Sequence, residues 1–136
     1  MDFAASMIVA AAGMRTQTDR MRVIAENIAN ANSTSAVSGG DPYRRKIPTI
    51  KSTFDRDLQA TIIEPGKPIR DMSEFQLKLD PANPAADKHG YVKMSNVNSL
   101  IEIMDMREAQ RSYEADLTVL DASKTMMTRT IDLLRR

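Results

Sequence analysis

The chain has 136 residues, with 19 Lys and Arg against 18 Asp and Glu, ten methionines, and neither cysteine nor tryptophan. The lack of cysteine excludes a disulfide framework and a thiolate metal site, and the single histidine, His89, excludes a histidine cluster. A net charge of +1 argues against a dedicated nucleic-acid-binding protein, because such proteins carry a basic surface.

The first predicted element is a long helix that ends near residue 32. Its apolar side chains recur at alternating spacings of three and four residues, which is the pattern of a coiled-coil-like face. Gly13 lowers the helix propensity by about 1 kcal/mol relative to Ala. The polar run that begins at Asn30 competes for backbone hydrogen bonds and is expected to end the helix. The row comprises Phe3, Met7, Ala10, Met14, Met21, Ile24, Ile28 and Ala31, with Gln17 as its one polar interruption.

We do not expect the beginning of this helix to be a cleaved leader. Phe3–Met14 is the only candidate apolar core of a signal peptide, but Asp2 precedes it and no basic residues do. The apolar row also continues to Ile28, past any plausible cleavage point. No apolar run reaches the roughly 18 residues that a membrane span needs.

The middle of the chain contains all six prolines, so long helices are not expected there. Residues 74–80 alternate polar and apolar side chains, which predicts a half-buried strand with Phe75, Leu77 and Leu79 on one face. Residues 58–62 alternate likewise, and the turn signal at 65–68 leads us to expect that these two strands form a hairpin. Residues 33–48 and 81–92 are expected to be extended or loop connections.

The last predicted element is a second long helix. Ser99 and Glu102 have the spacing of a capping box at its start, and Arg135 and Arg136 complement the helix dipole at its end. The fold class is therefore mainly α with a small β insertion, in which two terminal helices pack as a coiled-coil-like pair. The apolar row contains Ile103, Met106, Tyr113, Leu117, Leu120, Met127, Ile131 and Leu134, interrupted by Gln110 and Lys124.

No residue constellation predicts catalysis, a cofactor or a metal site. His89 lies in a loop-like setting, and Gly39-Gly40 lacks the Lys-Ser/Thr and the helix of a phosphate-binding loop. Residues 44–46 form a short basic patch, for which salt bridging or solvation is favoured over nucleic-acid binding. We expect a protein that is not an enzyme.

The two helices are instead expected to form an assembly surface. Burying a few large side chains does not offset the conformational entropy lost in ordering a 30-residue helix, so the apolar rows need neighbours. Asn27 and Asn30 lie three residues apart on one side of the first helix and could bond a neighbouring chain. The candidate interface residues are Phe3, Met7, Met14, Met21, Ile24, Asn27, Ile28, Asn30, Met106, Tyr113, Leu117, Leu120, Met127, Ile131 and Leu134.

Four blocks of the sequence resemble bacterial flagellar rod and hook axial proteins, in the same order. They are Asn27-Ile28-Ala29-Asn30-Ala31-Asn32-Ser33, then residues 41–46, then Gly90–Asn98, and finally 105–117 with 124–127. The last three blocks are most similar to a proximal-rod member. Ser33 stands where the family commonly has Thr and Asp116 where it commonly has Asn, and residues 49–80 match least.

The resemblance implies a structural subunit of the proximal rod, the flagellar drive shaft. It implies an axial domain made of the helices at 1–32 and 95–136, with a central region at 33–94. Such subunits assemble helically with copies of themselves and other rod proteins, after passing through the type III export apparatus into the periplasm without a cleaved signal peptide. No nucleic-acid partner is expected.

Three alternatives remain open at this point. A coiled-coil adaptor or export-chaperone-like protein would form a discrete oligomer in solution. A small enzyme with an unrecognised site is disfavoured by the single histidine and missing cysteine. Another axial subunit with the same terminal helices is disfavoured by the Gly90–Asn98 block and the short middle region.

Overall fold

The computed structural model describes residues 3–135. Over that range the elements are α1 (Phe3–Ala29), β1 (Lys46–Ile47), β2 (Ile50–Asp55), β3 (Ala60–Pro65), β4 (Ile69–Arg70), β5 (Gln76–Leu79), β6 (Tyr91–Met94) and α2 (Ser99–Leu134). In chain order, one long helix precedes the short β region and another follows it. This confirms the predicted class, mainly α with a small β insertion.

α1 ends where the polar run begins, as predicted. The Asn30 side-chain amide donates to the carbonyl oxygen of Glu26 at 2.8 Å, and the Ser33 hydroxyl donates to the carbonyl of Asn30 at 2.8 Å. These side-chain bonds add to the backbone bonds that the Asn30 N–H donates to Glu26 and the Ser33 N–H donates to Asn30, and they fix the chain where the helix ends. The chain then runs without a regular element until Lys46, which agrees with the connection expected over 33–48.

α2 begins at the expected residue, but the predicted capping box is wrong. Asn98 is the cap, because its Oδ1 accepts hydrogen bonds from the backbone N–H groups of Leu100 at 3.0 Å and Ile101 at 3.4 Å. Asparagine is among the most favoured N-cap residues. The Glu102 side chain is therefore not needed at the helix start, and it is buried elsewhere.

The strands between residues 46 and 94 form three separate two-stranded antiparallel sheets: β1 with β4, β2 with β3, and β5 with β6. The hairpin expected between residues 58–62 and 74–80 is wrong, since each of those strands pairs with another partner. β2 turns back into β3 because Asp55 Oδ1 accepts from the N–H groups of Asp57 and Leu58. Gln59 supplies the positive φ of 49° that completes this turn.

Of the predicted half-buried face, Phe75 is half-buried just before β5, but the prediction is wrong for β5 itself, which is exposed throughout. Leu77 and Leu79 are both exposed, and their cross-strand neighbours on the same face are Lys93 and Tyr91. The buried side chain of this sheet is Val92 on β6. The alternation correctly predicts a strand at β5. Within the described residues, however, the face that carries Leu77 and Leu79 remains exposed to solvent.

The chain divides into two compact units, and both helices contribute to each. One unit contains the residues up to Met21, Thr49–Lys67 and the residues from Arg107 onward, while the other contains Arg22–Pro48 and Pro68–Met106. The first buries small side chains, namely Ala10, Thr16, Ala109 and Ser123. The second buries larger ones, namely Val23, Ile24, Asn27, Val92 and Glu102.

The buried line of α2 differs from the apolar row expected from the sequence. The buried residues Glu102, Ala109 and Ser123, together with the half-buried Asp116, recur at intervals of seven residues. Ile103 and Leu117 directly follow residues of that line and are exposed. Ile131, farther toward the end of α2, is also exposed. Small and polar side chains therefore form the internal contacts of α2, and large aliphatic side chains are left outside.

Candidate assembly surface and the cluster that supports it

Asn27 is the centre of a buried polar cluster in the second unit. Its Nδ2 donates to the carbonyl oxygen of Lys46 at 2.8 Å and to Glu102 Oε2 at 3.0 Å. Its Oδ1 accepts from the Lys46 N–H and from the Tyr43 hydroxyl, both at 2.9 Å. The amide thus binds both backbone groups of a β1 residue, and all its hydrogen-bonding capacity is used.

Glu102 connects α2 to the same cluster. Its side chain is only 1% exposed, and Arg45 Nε donates to Glu102 Oε1 at 2.6 Å. The same guanidinium lies 3.6 Å from Asp71 and 3.7 Å from Asp105. A buried carboxylate is tolerated only with a partner of opposite charge and additional hydrogen bonds, and Glu102 has both.

The ionisation of this cluster follows from its contacts. Burial alone lowers the pKa of Arg45, but the hydrogen bond and charge of Glu102, together with the charges of Asp71 and Asp105, raise it by more. The backbone N–H of Ser73 lowers the pKa of the Asp71 carboxyl, with a smaller contribution from Arg45. Burial raises the pKa of Tyr43, so its phenol remains a hydrogen-bond donor to Asn27 near neutral pH.

Two further ion pairs surround the cluster. Lys46 Nζ lies 2.8 Å from Glu26 and Arg22 lies 2.7 Å from the same carboxylate. The hydrogen bond from Lys46 lowers the pKa of Glu26. Arg44 instead lies over the Phe75 ring at 4.1 Å. The salt-bridging interpretation of residues 44–46 is therefore confirmed for Arg45 and Lys46.

The structure separates the two asparagines that the sequence grouped together. Asn27 is fully buried and makes internal bonds, whereas the half-buried Asn30 bonds the last turn of its own helix. Sequence reasoning missed Tyr43 and Glu102 as partners of Asn27. The sequence did contain a signal for such partners, since Asn27 lies inside a long helix. Asn is unfavourable in a helix interior, so its presence there indicates that its amide has specific hydrogen-bond partners.

The first unit has a different close contact between α1 and α2. A Cβ added to Gly13 would lie 2.5 Å from Asp116 Oδ2, so a glycine is what allows this carboxylate to approach α1. Burial raises the pKa of Asp116, and no hydrogen bond or ion pair to this carboxylate is found within residues 3–135. Arg20 and Glu108 pair at 3.0 Å in the same unit.

The candidate interface residues fall into three groups by exposure. Ile24 and Asn27 are buried within their own unit. Leu117, Ile131 and Leu134 are exposed, with 40%, 50% and 82% of their surface accessible. The half-buried group comprises Phe3, Met7, Met14, Met21, Ile28, Asn30, Met106, Tyr113, Leu120 and Met127.

α2 also exposes apolar residues that the predicted row did not include. Single exposed apolar residues are ordinary on protein surfaces, but a helix with so many suggests an interaction surface. They are Leu100, Ile101, Met104, Val119, Met126 and Leu133. The part of the chain that the structure describes contains no helix long and apolar enough to cross a membrane.

The family model described as "Flagellar basal body rod FlgEFG protein C-terminal" matches residues 88–133. The flagellar basal-body rod protein FlgC of Agrobacterium fabrum is 46% identical over 127 residues, which cover 93% of this chain and 91% of that protein. This chain belongs to the FlgC family. FlgC proteins of Aquifex aeolicus and Salmonella typhimurium are each 34% identical, over 97% and 92% of this chain and the same shares of their own lengths.

The two kinds of similarity cover different parts of the molecule. The family-model match contains β6 and all but the last residue of α2, which is the helix with the exposed aliphatic residues. The matches to FlgC relatives extend over nearly the whole chain, so they include α1 and the Asn27 cluster. Membership in the FlgC family thus agrees with the resemblance seen in the four sequence blocks.

Proposed function

We propose that this chain is a structural subunit of the flagellar proximal rod, which assembles helically with copies of itself and with other rod proteins and transmits torque. The observation that carries the proposal is the exposure of large aliphatic side chains along α2, in a member of a family of basal-body rod proteins. Exposed apolar surface of this extent marks a site at which other protein molecules pack.

The helices use different side chains for internal packing and for their exposed surface, and this difference supports the proposal. The first unit buries small side chains and the second buries the Asn27 cluster with Val23, Ile24 and Val92, whereas many large apolar residues of α2 are exposed. The half-buried methionines of α1, Met7, Met14 and Met21, are flexible and can adapt to neighbours that are not identical. The axial domain of the proposal consists of residues 1–32 and 95–136, and the central region of residues 33–94.

The proposal includes the route to the rod. The subunit passes through the flagellar type III export apparatus and reaches the periplasm without cleavage of a signal peptide. The absence of cysteine suits a chain that moves from a reducing to an oxidising compartment, since no thiol can form a wrong disulfide.

The test replaces exposed apolar residues of α2 and measures rod assembly. In a flagellated host that lacks its own copy of the gene, Leu117→Glu and Ile131→Glu are expected to abolish motility and to be missing from purified basal bodies. Thr118→Glu is the matched control, because it puts the same charge on an exposed polar position of the same helix. The proposal fails if the deletion strain still builds complete, rotating flagella, or if both glutamate variants support normal motility.

A solution measurement separates this proposal from the adaptor alternative. An adaptor or chaperone is expected to elute as a discrete oligomer of fixed size during gel filtration. A rod subunit is expected to be a monomer or a polydisperse filament, because its contacts do not close on themselves.

A further inference from the structure

Each of the three small sheets has one outer edge that is bound by a side chain of the same chain. On β1 this side chain is the Asn27 amide. On β3 the Thr16 hydroxyl donates to the carbonyl oxygen of Ile63 at 3.3 Å. On β6 the Asp87 N–H donates to the Tyr91 carbonyl, and Asp87 Oδ1 accepts from the Tyr91 N–H, both at 2.9 Å. These bonds occupy backbone groups that would otherwise be available to another strand.

The outer edge of β2 is open. Residues of an antiparallel pair alternate between directing their N–H and C=O groups toward the partner strand and directing them away from it. The Gly66 N–H bonds the Thr49 carbonyl, so this alternation turns the backbone groups of Ile50, Ser52 and Phe54 away from β3. No hydrogen bond to these groups is found within residues 3–135, and the Ile50 and Phe54 side chains are 50% and 57% exposed.

β5 has a second open edge. The Asp80 N–H bonds the Gly90 carbonyl, so Leu77 and Leu79 direct their backbone groups away from β6. The described part of the chain supplies no hydrogen bond to these groups either, and the whole of β5 is exposed. An exposed edge strand that carries apolar side chains is a template for pairing with another chain.

Resting on the proposed function, we infer that β2 of one copy pairs edge to edge and antiparallel with β5 of the next copy, which joins two hairpins into one sheet. Contacts between copies in a helical assembly are heterologous, so each joins two different surfaces. β2 therefore cannot pair with β2 of a neighbour, and β5 is the other open edge longer than two residues within residues 3–135. Backbone hydrogen bonds along the two edges supply the affinity. This contact lies in the central region and is additional to the exposed surface of α2.

One register suits both the backbone groups and the charges. When Phe54 lies opposite Leu77, the outward-pointing N–H and C=O groups of the two strands meet. Lys51 then lies opposite Asp80, and within residues 3–135 neither of them has an ion pair of its own. Opposite charges at directly facing positions of two strands are favourable.

The neighbouring registers are disfavoured. A shift by two residues in one direction places Lys51 opposite Lys78, and like charges that face each other destabilise a strand pair. A shift by two residues in the other direction places Ser52 opposite Pro81, which has no N–H to donate. A shift by one residue misaligns the outward-pointing backbone groups, because the alternation has a period of two.

Disulfide cross-linking tests the pairing, since the natural absence of cysteine gives a clean background. In the proposed register Thr53 lies opposite Lys78 at a pair without mutual hydrogen bonds, where Cα atoms are about 4.5 Å apart and a disulfide can form. Thr53→Cys and Lys78→Cys are introduced in separate copies that carry tags of different size, in a flagellated host lacking its own copy. Isolated basal bodies are treated with a mild oxidant, and a covalent dimer that contains both tags is expected.

Gln76→Cys replaces Lys78→Cys in the matched control. Gln76 is exposed on the same face of β5, but it lies diagonal to Thr53 at about 7–8 Å, which is beyond the reach of a disulfide. A cross-link to Gln76→Cys in place of Lys78→Cys would overturn the register. A dimer from Thr53→Cys alone would show that β2 meets itself and would overturn the pairing.

A proline in β2 tests the contribution of the backbone. Ser52→Pro removes an N–H that points away from β3, so the hairpin should persist, and its circular dichroism and thermal unfolding are expected to match those of Ser52→Ala. Only the proline variant is expected to lose the cross-link and to reduce motility. Equal cross-linking and equal motility of the two variants, or loss of the fold in Ser52→Pro, would overturn the strand pairing.

A charge exchange tests the register independently. Lys51→Asp in every copy brings two carboxylates together and is expected to lower the cross-linking yield about fivefold. Asp80→Lys added to the same copies is expected to restore the yield. A yield that the second substitution does not restore would overturn the proposed register.

The inference can fail while the proposed function stands. Motile cells whose basal bodies contain both cysteine variants without cross-linking them would overturn the strand pairing and leave the rod subunit in place. If a cysteine variant does not enter the basal body, the motility of Ser52→Pro against Ser52→Ala decides the inference. A deletion strain that still builds complete, rotating flagella would instead overturn the proposed function itself.

Discussion

Asn27 binds β1 as a neighbouring strand would, through both the N–H and the carbonyl group of Lys46. Because its amide also bonds Tyr43 and Glu102, one side chain connects α1, β1 and α2 within the second unit. Such a group is costly to remove, since each buried partner that loses its hydrogen bond retains the full cost of desolvation.

We therefore expect Asn27→Ala to lower the free energy of unfolding by about 2–4 kcal/mol, because it removes the hydrogen bonds of two partly buried backbone groups of Lys46 and one bond to the buried Glu102. Asn32→Ala is the control, since Asn32 is exposed and lies just beyond the end of α1, and it should change stability by less than about 0.5 kcal/mol. Urea unfolding followed by circular dichroism measures both. Equal stability of the two variants would show that the Asn27 cluster does not hold the unit together.

Asp116 is expected to make stability depend on pH in the opposite direction to most carboxylates. Burial raises its folded pKa above the unfolded value of about 3.9, so the native state binds the proton more tightly. Its contribution to stability is then lost as pH rises from about 3.9 through the raised folded pKa.

Asp116→Asn should consequently be more stable than the natural chain at pH 7, and the difference should shrink below about pH 3.9, where the carboxyl is protonated in both states. Asp121→Asn, at an exposed position of the same helix, controls for the loss of one negative charge. Unfolding free energies at the two pH values provide the comparison. A difference that is independent of pH would contradict a desolvated Asp116.

At the scale of elements, α2 buries the carboxylate of Glu102 and exposes many of its aliphatic side chains. Glu102 and Arg45 make a buried ion pair at 2.6 Å, whereas Arg20 and Glu108 make an exposed one at 3.0 Å in which 66% of the Glu108 side chain is accessible. The two pairs have similar geometry but a very different environment. Their contributions to stability should differ accordingly.

Glu102→Gln is expected to destabilise the fold by about 3 kcal/mol, because it leaves a partly buried guanidinium without its main counter-charge. The matched variant Glu108→Gln should change stability by less than about 1 kcal/mol. Thermal unfolding of the two variants at one ionic strength measures the contrast. If the Glu108 variant were the less stable of the two, the assignment of Glu102 to the structural cluster would be wrong.

The sequence predicted both helices to within a few residues because their apolar rows are long and only rarely interrupted. It predicted the strand at β5 from alternation, but not the pairing of β5 with β6, since pairing depends on contacts distant in sequence. The turn at Asp55 was missed because its signal lies in side-chain bonds to Asp57 and Leu58. Glu102 was assigned to a cap because the spacing alone cannot show that Asn98 already provides one.

At the scale of the whole molecule, internal contacts and assembly contacts use different side chains. Asn27, Glu102 and the small residues of α1 and α2 stabilise the units, and the large aliphatic residues of α2 remain for neighbours. This separation explains why the candidate interface from the sequence was only partly on the surface. Periodicity identifies apolar rows, but it cannot distinguish a row that packs inside the chain from one that packs against another copy.

The most direct test of the central claim is the structure of purified basal bodies by electron cryomicroscopy at side-chain resolution. The proposed function predicts that this chain occupies the proximal rod, with Ile103, Leu117 and Ile131 buried against neighbouring subunits. The result that would contradict it is a rod without this chain, or a rod in which these three residues of α2 remain exposed to solvent.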